Sequence, residues 1–140
     1  MKKKSIVVLI ILLTVLVIIG GSAGTGCVSL SREHDEARNL PITSINFSKL
    51  KDGTYTGEYE GGMYRWRANK VNVTVSSGKV TVIDLQDLSD SGDGFAERRE
   101  LYNRIIEAQS LQVDVISGAT LTSKAYLKGV EIALSPALAD

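Results

Sequence analysis

Alternating apolar and polar residues predict a β-hairpin in the middle of the chain. Val71, Val73 and Val75 alternate with polar residues, which is the period of a strand with one buried face. The segment 76–79, Ser-Ser-Gly-Lys, is typical of a tight turn, and 80–85 continues as the return strand. In that return strand we expect 80, 82 and 84 on one face and 81, 83 and 85 on the other. The β-forming run 54–60 predicts an earlier strand.

Two helices are predicted after the hairpin. Apolar residues between Phe95 and Gln109 form a helical stripe, and the charged residues of this segment, Arg98 among them, are expected on the solvent face. A second stripe runs from about Thr122 to Leu134, and Pro136 prevents much extension. The predicted fold class is α+β, a small antiparallel sheet with a hairpin, covered by two helices, in a domain that spans residues 49–135.

The N-terminus has the pattern of a membrane segment. Lysines 2–4 precede residues 6–19, in which Thr14 is the only polar side chain. A helix over residues 6–26 would be roughly 31 Å long at about 1.5 Å per residue, enough to cross the hydrocarbon core. The charges that follow are net negative, so the positive-inside rule places the domain outside the cytoplasm. We predict a transmembrane or signal helix over residues 1–27 and a polar tether over residues 28–48.

Cys27, the single cysteine, leaves the type of anchor open. Thr25-Gly26-Cys27 partly resembles the lipobox of bacterial lipoproteins, although Gly24 stands where that box has an aliphatic residue. The alternatives are an uncleaved helical anchor, which we prefer, a lipoprotein attached through Cys27, and a cleaved, secreted form. All three place the domain at or beyond the outer face of a membrane.

Charge and spacing argue against two classes of function. Apart from the three N-terminal lysines, the chain has 13 basic and 16 acidic residues, which are interleaved, so nucleic acid is not an expected partner. Asp87, Asp90 and Asp93 are spaced by three, which does not match a calcium-binding loop. No metal site is predicted.

The segment 114–123, Asp-Val-Ile-Ser-Gly-Ala-Thr-Leu-Thr-Ser, carries the candidate chemistry. Gly118 and Ala119 allow a ligand to approach the backbone closely, and the helix that follows directs free N–H groups and its positive dipole end at an anion. Four hydroxyl side chains crowd the turn: Ser117, Thr120, Thr122 and Ser123. The pattern predicts a phosphate-binding turn. The plainer alternative is an ordinary loop with Thr120 or Thr122 as helix N-cap.

Three features together resemble the FMN-binding domain family. They are Lys-Asp-Gly-Thr-Tyr-Thr-Gly-Glu at 51–58, the valine hairpin with Gly-Lys-Val at its turn, and Asp-x-x-Ser-Gly-Ala-Thr-x-Thr-Ser at 114–123. That family includes the flavin subunits of Rnf complexes and of Na⁺-translocating NADH:quinone reductases, and stand-alone extracytoplasmic proteins. The resemblance covers about residues 49–134. It implies that a flavin transferase uses FAD to attach FMN, through its phosphate, to Thr120.

The resemblance and the chemistry of the turn together suggest a role for each motif residue. Thr120 would carry the flavin phosphate, while Gly118 and Ala119 keep the approach open. The expected hydrogen-bond donors to phosphate oxygens are Ser117, Thr122 and Ser123. Asp114 would order the turn by accepting backbone N–H bonds, because a carboxylate beside a phosphate would repel it.

Aromatic residues are weaker candidates for the same ligand. Tyr64, Trp66 and Tyr126 could stack on the flavin ring, although packing in the core or on the sheet is the interpretation we favour.

The expected function is that of an extracytoplasmic, membrane-tethered electron carrier rather than a substrate-converting enzyme. The expected partners are a membrane, the flavin transferase, and a redox protein or quinone that the sequence does not identify. Two alternatives stay open: a redox-silent flavin-binding sensor or assembly module, and a surface interaction lipoprotein without cofactor.

Overall fold

The structure is a computed structural model that describes residues 31–32, 34–62, 65, 67–86 and 94–138. The chain divides into two units, Met1–Asp35 and Glu36–Asp140. In the first unit, residues 31–32 and 34–35 are described, and they are helical. The predicted anchor and Cys27 lie outside the described residues. Within the described part of the chain, no helix has both the length and the apolar character that a membrane span requires.

Three antiparallel strands form a sheet in the order β1-β2-β3. They are β1 Gly53–Tyr59, β2 Asn69–Ser76 and β3 Lys79–Leu85. The predicted hairpin is confirmed: β2 pairs with β3 around Ser77 and Gly78, which both have positive φ angles. The three valines of β2 are at most 2% exposed, so their alternation does mark the buried face of the sheet.

The return strand does not keep a simple alternation. Thr74 pairs with Val82 and Val75 with Val80, so Thr81 is an extra residue at a β-bulge. The bulge turns both Val80 and Ile83 into the core and leaves Val82 42% exposed. The prediction that Val80 and Val82 share a face was therefore wrong, because it assumed an uninterrupted period of two.

Two helices follow the sheet, α1 over Phe95–Ala108 and α2 over Thr120–Leu134. α1 agrees with its predicted bounds to one residue, whereas α2 begins two residues earlier than predicted. α2 packs across β1 and β2, and α1 packs against β3. Fully buried side chains from both helices meet the valines of the sheet: Leu101, Ile105, Val130 and Leu134. The predicted α+β class, a small antiparallel sheet with helices, is confirmed.

Two glycines allow α2 to lie close to β1. A Cβ atom at Gly57 would lie 2.2 Å from the Gly129 carbonyl oxygen and 2.4 Å from the Ala133 nitrogen. A Cβ atom at Gly129 would in turn lie 2.2 Å from Oδ1 of Asn69, whose Nδ2 donates to the Ala125 carbonyl at 3.0 Å. This contact fixes the position of α2, and therefore of its N-terminal end, relative to the sheet.

The Gln109 side chain forms hydrogen bonds with the backbone at the outer edge of β3. Gln109 follows α1 with a φ of 47°. Its Oε1 accepts the N–H of Val80 at 2.9 Å, and its Nε2 donates to the Val80 carbonyl at 2.9 Å. The carboxamide thus takes the place of a neighbouring strand at one residue of the edge, where unpaired backbone groups would otherwise be left.

The segment expected to be a tether contributes to the folded unit. Apolar side chains from it enter the core or pack against it: Ile42, Ile45 and Phe47. The Glu131 carboxylate accepts the N–H of Thr43 at 3.1 Å, and Lys128 donates to the Pro41 carbonyl at 3.1 Å. The compact unit Glu36–Asp140 thus includes this segment. Its apolar residues follow neither a helical nor a strand period, so the sequence pattern did not indicate that they pack.

Candidate functional site

A tight turn over residues 116–119 leads into α2. The N–H of Ala119 donates to the Ile116 carbonyl at 3.0 Å, and the Ala119 carbonyl accepts the N–H of Ser123 at 2.8 Å. Gly118 has a φ of +81°, a conformation that favours glycine, and a Cβ atom built there would meet nothing within 4 Å. The backbone at Gly118 therefore borders open space, which a ligand can enter.

α2 begins without a side-chain cap. Ala119 is the N-cap residue and makes no side-chain cap bond, and no side chain in the described part of the chain bonds to the first N–H groups of the helix. The alternative in which Thr120 or Thr122 caps the helix is therefore wrong, because Thr120 is already its first residue. The first N–H groups of a helix lack intrahelical acceptors, and the positive end of the helix dipole lies there, so this end suits an anion.

The hydroxyl groups of the turn differ in exposure. Ser117, Thr120 and Thr122 are exposed, whereas Ser123 is only 3% exposed. The Ser123 hydroxyl oxygen accepts the N–H of Ile116 at 3.2 Å. Ser123 thus stabilises the turn from its buried side.

Asp114 does not take part in ordering the turn in the way the sequence suggests. The residue is exposed, and its carboxylate makes no hydrogen bond to any described residue. Its carbonyl accepts a hydrogen bond from Nη1 of Arg104 at 2.8 Å, and Nε of Arg104 pairs with Glu100 at 3.0 Å. Arg104 therefore joins the segment before the turn to α1, and the side-chain acceptor for a backbone N–H of the turn is the Ser123 hydroxyl instead of the Asp114 carboxylate.

A cleft of about 360 Å³ opens between the turn and α1. Ligand pockets are typically about 300–1,000 Å³, so the cleft is near the lower end of that range. One wall comes from the turn and α2: Ser117, Gly118, Ala119, Thr122, Ser123 and Tyr126. The other comes from α1 and the residue before it: Gly94, Glu97, Arg98 and Leu101. Thr120 is exposed beside this cleft, next in the chain to Ala119.

The interior of the cleft is partly apolar and aromatic. Leu101 is fully buried, and Tyr126 packs edge-on against Tyr102, with ring centroids 6.0 Å apart and planes at 70°. Of the three aromatic residues considered for ring stacking, Tyr126 lines the cleft. Tyr64 and Trp66 lie outside the described residues.

Arg98 is a cleft residue that the sequence analysis missed. It was expected on the solvent face of α1, but it is only 7% exposed. The prediction was wrong because Arg98 precedes Leu101 and Tyr102 by three and four residues, which places it on the same helix face as these buried side chains. That spacing was the signal that could have found it.

Comparison with known proteins identifies the family. Residues 65–135 match the family described as FMN-binding domain. The chain belongs to this family. The match includes β2, β3, both helices and the turn, and it begins after β1. The resemblance predicted from the sequence is therefore confirmed.

One relative extends the similarity over a longer segment. An NADH:acrylate oxidoreductase of Vibrio harveyi is 33% identical over 102 residues, which are 71% of this chain and 9% of that protein. The chain thus spans less than a tenth of the length of this relative. The similarity concerns one segment of a much larger protein.

The residues around the cleft fit FMN. A flavin phosphate needs hydrogen-bond donors and positive charge, which the uncapped start of α2, the hydroxyls of Ser117 and Thr122, and the Arg98 guanidinium can supply. The flavin ring is flat and mostly apolar, and the half-buried ring of Tyr126 offers a matching surface. The open space at Gly118 lets the ligand come close to the backbone between these two regions.

Proposed function

We propose that this FMN-binding domain is an electron carrier whose flavin is attached covalently, through its phosphate, to Thr120. The observation that carries the proposal is the exposed Thr120 at the uncapped start of α2, beside a cleft that Tyr126 lines. When bound, FMN supplies the capacity to accept and release electrons. The chain itself binds and orients the flavin and limits its contact with water.

In this proposal, Thr120 is the acceptor of another enzyme's reaction. A bond forms between its Oγ and the flavin-side phosphorus of FAD, the pyrophosphate bond breaks, and AMP leaves. The hydroxyl proton must pass to a base, since an unassisted threonine is a poor nucleophile. We assign that base to the flavin transferase, together with the metal ion that enzymatic phosphoryl transfer commonly uses. The exposure of Ser117, Gly118 and Thr120 supports this assignment, because the turn can enter another enzyme's active site.

We further propose that the domain is tethered at the outer face of a membrane. The support comes from the sequence, in which three lysines precede the apolar segment 6–19 and net negative charge follows it. The anchor is the helix itself or, alternatively, a lipid on Cys27. The Vibrio harveyi relative, whose name describes electron transfer from NADH to acrylate, supports an electron-carrying role for the shared segment. The redox partner would be a protein or a quinone.

The attachment site can be tested by removing one hydroxyl. The full chain is co-expressed with a flavin transferase, the membrane fraction is run on a denaturing gel, and flavin fluorescence of the polypeptide is measured. We expect the wild type and Thr120→Ser to fluoresce and Thr120→Val to be dark, because a valine has no oxygen to phosphorylate. Thr122→Val is the matched control and should still fluoresce. Thr120 is exposed, so Thr120→Val should change the free energy of unfolding by no more than about 0.5 kcal/mol.

Other outcomes would contradict the proposal in distinct ways. Fluorescence that survives Thr120→Val but disappears in Thr122→Val would move the attachment to Thr122. A wild-type chain without covalent flavin would contradict covalent attachment. Flavin binding to the native chain is then measured: binding would indicate a non-covalent carrier or sensor, and no binding would indicate an interaction protein without cofactor. A fluorescent chain found only in the soluble fraction would contradict the tether.

A further inference from the structure

Tyr126 is the aromatic side chain of the cleft. Among the described residues that line the cleft, no other has a ring. Tyr126 lies on α2 three residues after Ser123 and four after Thr122, which places it on the helix face that borders the cleft. The residue is half-buried, so part of its ring remains accessible. A flat aromatic surface therefore borders the space that the flavin would occupy.

Tyr102 supports the ring of Tyr126 from the core. Tyr102 is 5% exposed and belongs to the core cluster, and the two rings meet edge-on, with centroids 6.0 Å apart and planes at 70°. An edge-on contact covers at most one face of the Tyr126 ring. The other face can contact a flat ligand, and offset stacking of two flat rings is a favourable arrangement.

We infer that Tyr126 stacks on the isoalloxazine ring of FMN and lowers the midpoint potential of the bound flavin. The inference rests on the proposed function, in which FMN lies in this cleft with its phosphate on Thr120. Thr120 and Tyr126 are six residues apart on α2, so about 9 Å separates them along the helix axis at about 1.5 Å per residue. The ribityl chain of FMN spans a similar distance between the phosphate and the ring. An FMN that is attached at Thr120 and extends into the cleft therefore brings its ring to Tyr126.

This contact favours the oxidised flavin ring over the reduced one. On reduction the ring takes up two electrons and one proton, so it gains a negative charge. The face of a tyrosine ring carries the negative part of its quadrupole, and it repels an anion that lies against it. The oxidised ring is neutral and is not repelled in this way. Stacking on Tyr126 thus makes the flavin harder to reduce.

The first test is the midpoint potential of the flavin-loaded full chain, measured by spectroelectrochemical titration. We expect Tyr126→Leu to strengthen binding of the reduced flavin relative to the oxidised flavin about fivefold, which raises the potential of a two-electron couple by about 20 mV. Tyr55→Leu is the matched control, because Tyr55 is also half-buried but does not line the cleft, and it should leave the potential unchanged. Both substitutions are neutral, so the charges around the cleft stay the same.

The second test is the fluorescence of the native, flavin-loaded chain, compared with the same chain unfolded in urea. A phenol in contact with an excited flavin donates an electron to it and takes the electron back, and the emission is lost. We therefore expect weak emission from the native wild type and several-fold stronger emission from native Tyr126→Phe, because a phenyl ring is a much poorer electron donor.

Tyr102→Phe is the matched control for the fluorescence. It makes the same change in a ring that does not line the cleft. The buried Tyr102 hydroxyl has no hydrogen-bond partner in the described part of the chain, so its removal should not disturb the packing. The emission of this variant should stay as weak as that of the wild type.

A third measurement identifies the part of FMN that Tyr126 contacts. In a Thr120→Val background, the affinities for FMN and for riboflavin are compared with and without Tyr126→Leu. The inference expects both affinities to fall by the same factor, since the two ligands share the ring. A loss confined to FMN would overturn it and place Tyr126 at the phosphate.

The remaining outcomes are also decisive. A potential of Tyr126→Leu that is equal to or below that of the wild type would overturn the inference, and so would strong emission from the native wild type. If Tyr126→Leu does not fold, Tyr126→Phe keeps the shape of the side chain, and its emission carries the test. A wild type without covalent flavin would contradict the attachment to Thr120 alone, and the same measurements are then made on non-covalently bound FMN. A wild type that takes up no flavin would overturn both proposals.

Discussion

Two Ser-Gly turns of this chain have similar backbones and different surroundings. Gly78 in the hairpin and Gly118 before α2 have φ angles of +70° and +81°, and a Cβ atom at either would meet nothing within 4 Å. At the hairpin, the Asp52 carboxylate accepts the N–H groups of Ser77 and Gly78 at 2.9 and 2.7 Å. The start of α2 has no side-chain cap, and the Asp114 carboxylate bonds to no described residue.

The difference shows that a glycine turn does not make a binding site by itself. Both turns present backbone donors to open space, but the chain satisfies those of the hairpin with its own carboxylate. At α2 the donors stay available next to a cleft, which is the condition for binding an anion. Substitutions at the two turns should therefore separate stability from flavin binding.

The largest effect is expected from a bulky residue at the two glycines. Gly118→Val and Gly78→Val should each cost about 1–2 kcal/mol of stability or more, because a branched side chain is strained at positive φ. Gly118→Val also fills the space at the attachment turn, so we expect covalent flavin fluorescence on a denaturing gel to fall at least tenfold. Gly78→Val should leave it unchanged. Equal flavin loss in both variants would mean that the two turns do not differ in function.

An effect on stability alone is expected at the edge of β3, where Gln109 is another side chain that satisfies backbone groups. Gln109→Met removes both bonds to Val80 and should lower the free energy of unfolding by about 1–3 kcal/mol, the cost of leaving partly buried polar groups without a partner. Urea unfolding measures it. Gln112→Met, the same change at an exposed residue, is the control. Flavin attachment should persist in both variants, and an equal loss of stability in both would contradict the assigned role of Gln109.

The smallest effect is a pH dependence at the hairpin. Hydrogen bonds from the backbone N–H groups of Gly78 and then Ser77 lower the pKa of Asp52 below its ordinary value of 3.8. A carboxyl whose pKa is lower in the folded state contributes stability above its unfolded pKa, and the contribution is lost as the pH falls through the folded pKa. We expect the stability gap between the wild type and Asp52→Asn to narrow below about pH 3.8 in urea unfolding, with flavin attachment unaffected. The effect is small because solvent screens an exposed carboxylate.

A stability gap between the wild type and Asp52→Asn that stays constant down to pH 2 would contradict the role assigned to the Asp52 carboxylate. The variant Asp114→Asn is the control for the loss of a negative charge.

Much of the local structure could be predicted from the sequence. The valines of β2, the Ser77-Gly78 turn and both helices follow from spacing of two or of three to four residues, because these signals lie within a single element. The bulge at Thr81 could not be predicted, since a bulge depends on how one strand pairs with another. The packing of residues 36–48 escaped prediction for a similar reason, because their apolar side chains contact distant parts of the chain and have no local period.

The sequence by itself determined which residues form the turn, since Ser117, Gly118, Ala119 and Thr120 are neighbours in the chain and precede a helical pattern. Only the tertiary structure decided what faces that turn. Gly57 and Gly129 bring α2 against β1, and the packing of α1 against β3 brings Arg98 to the cleft that the turn borders. The physical reason is that the backbone conformation of a turn depends on neighbouring residues, whereas the charge and the apolar surface opposite it come from segments far away in the chain.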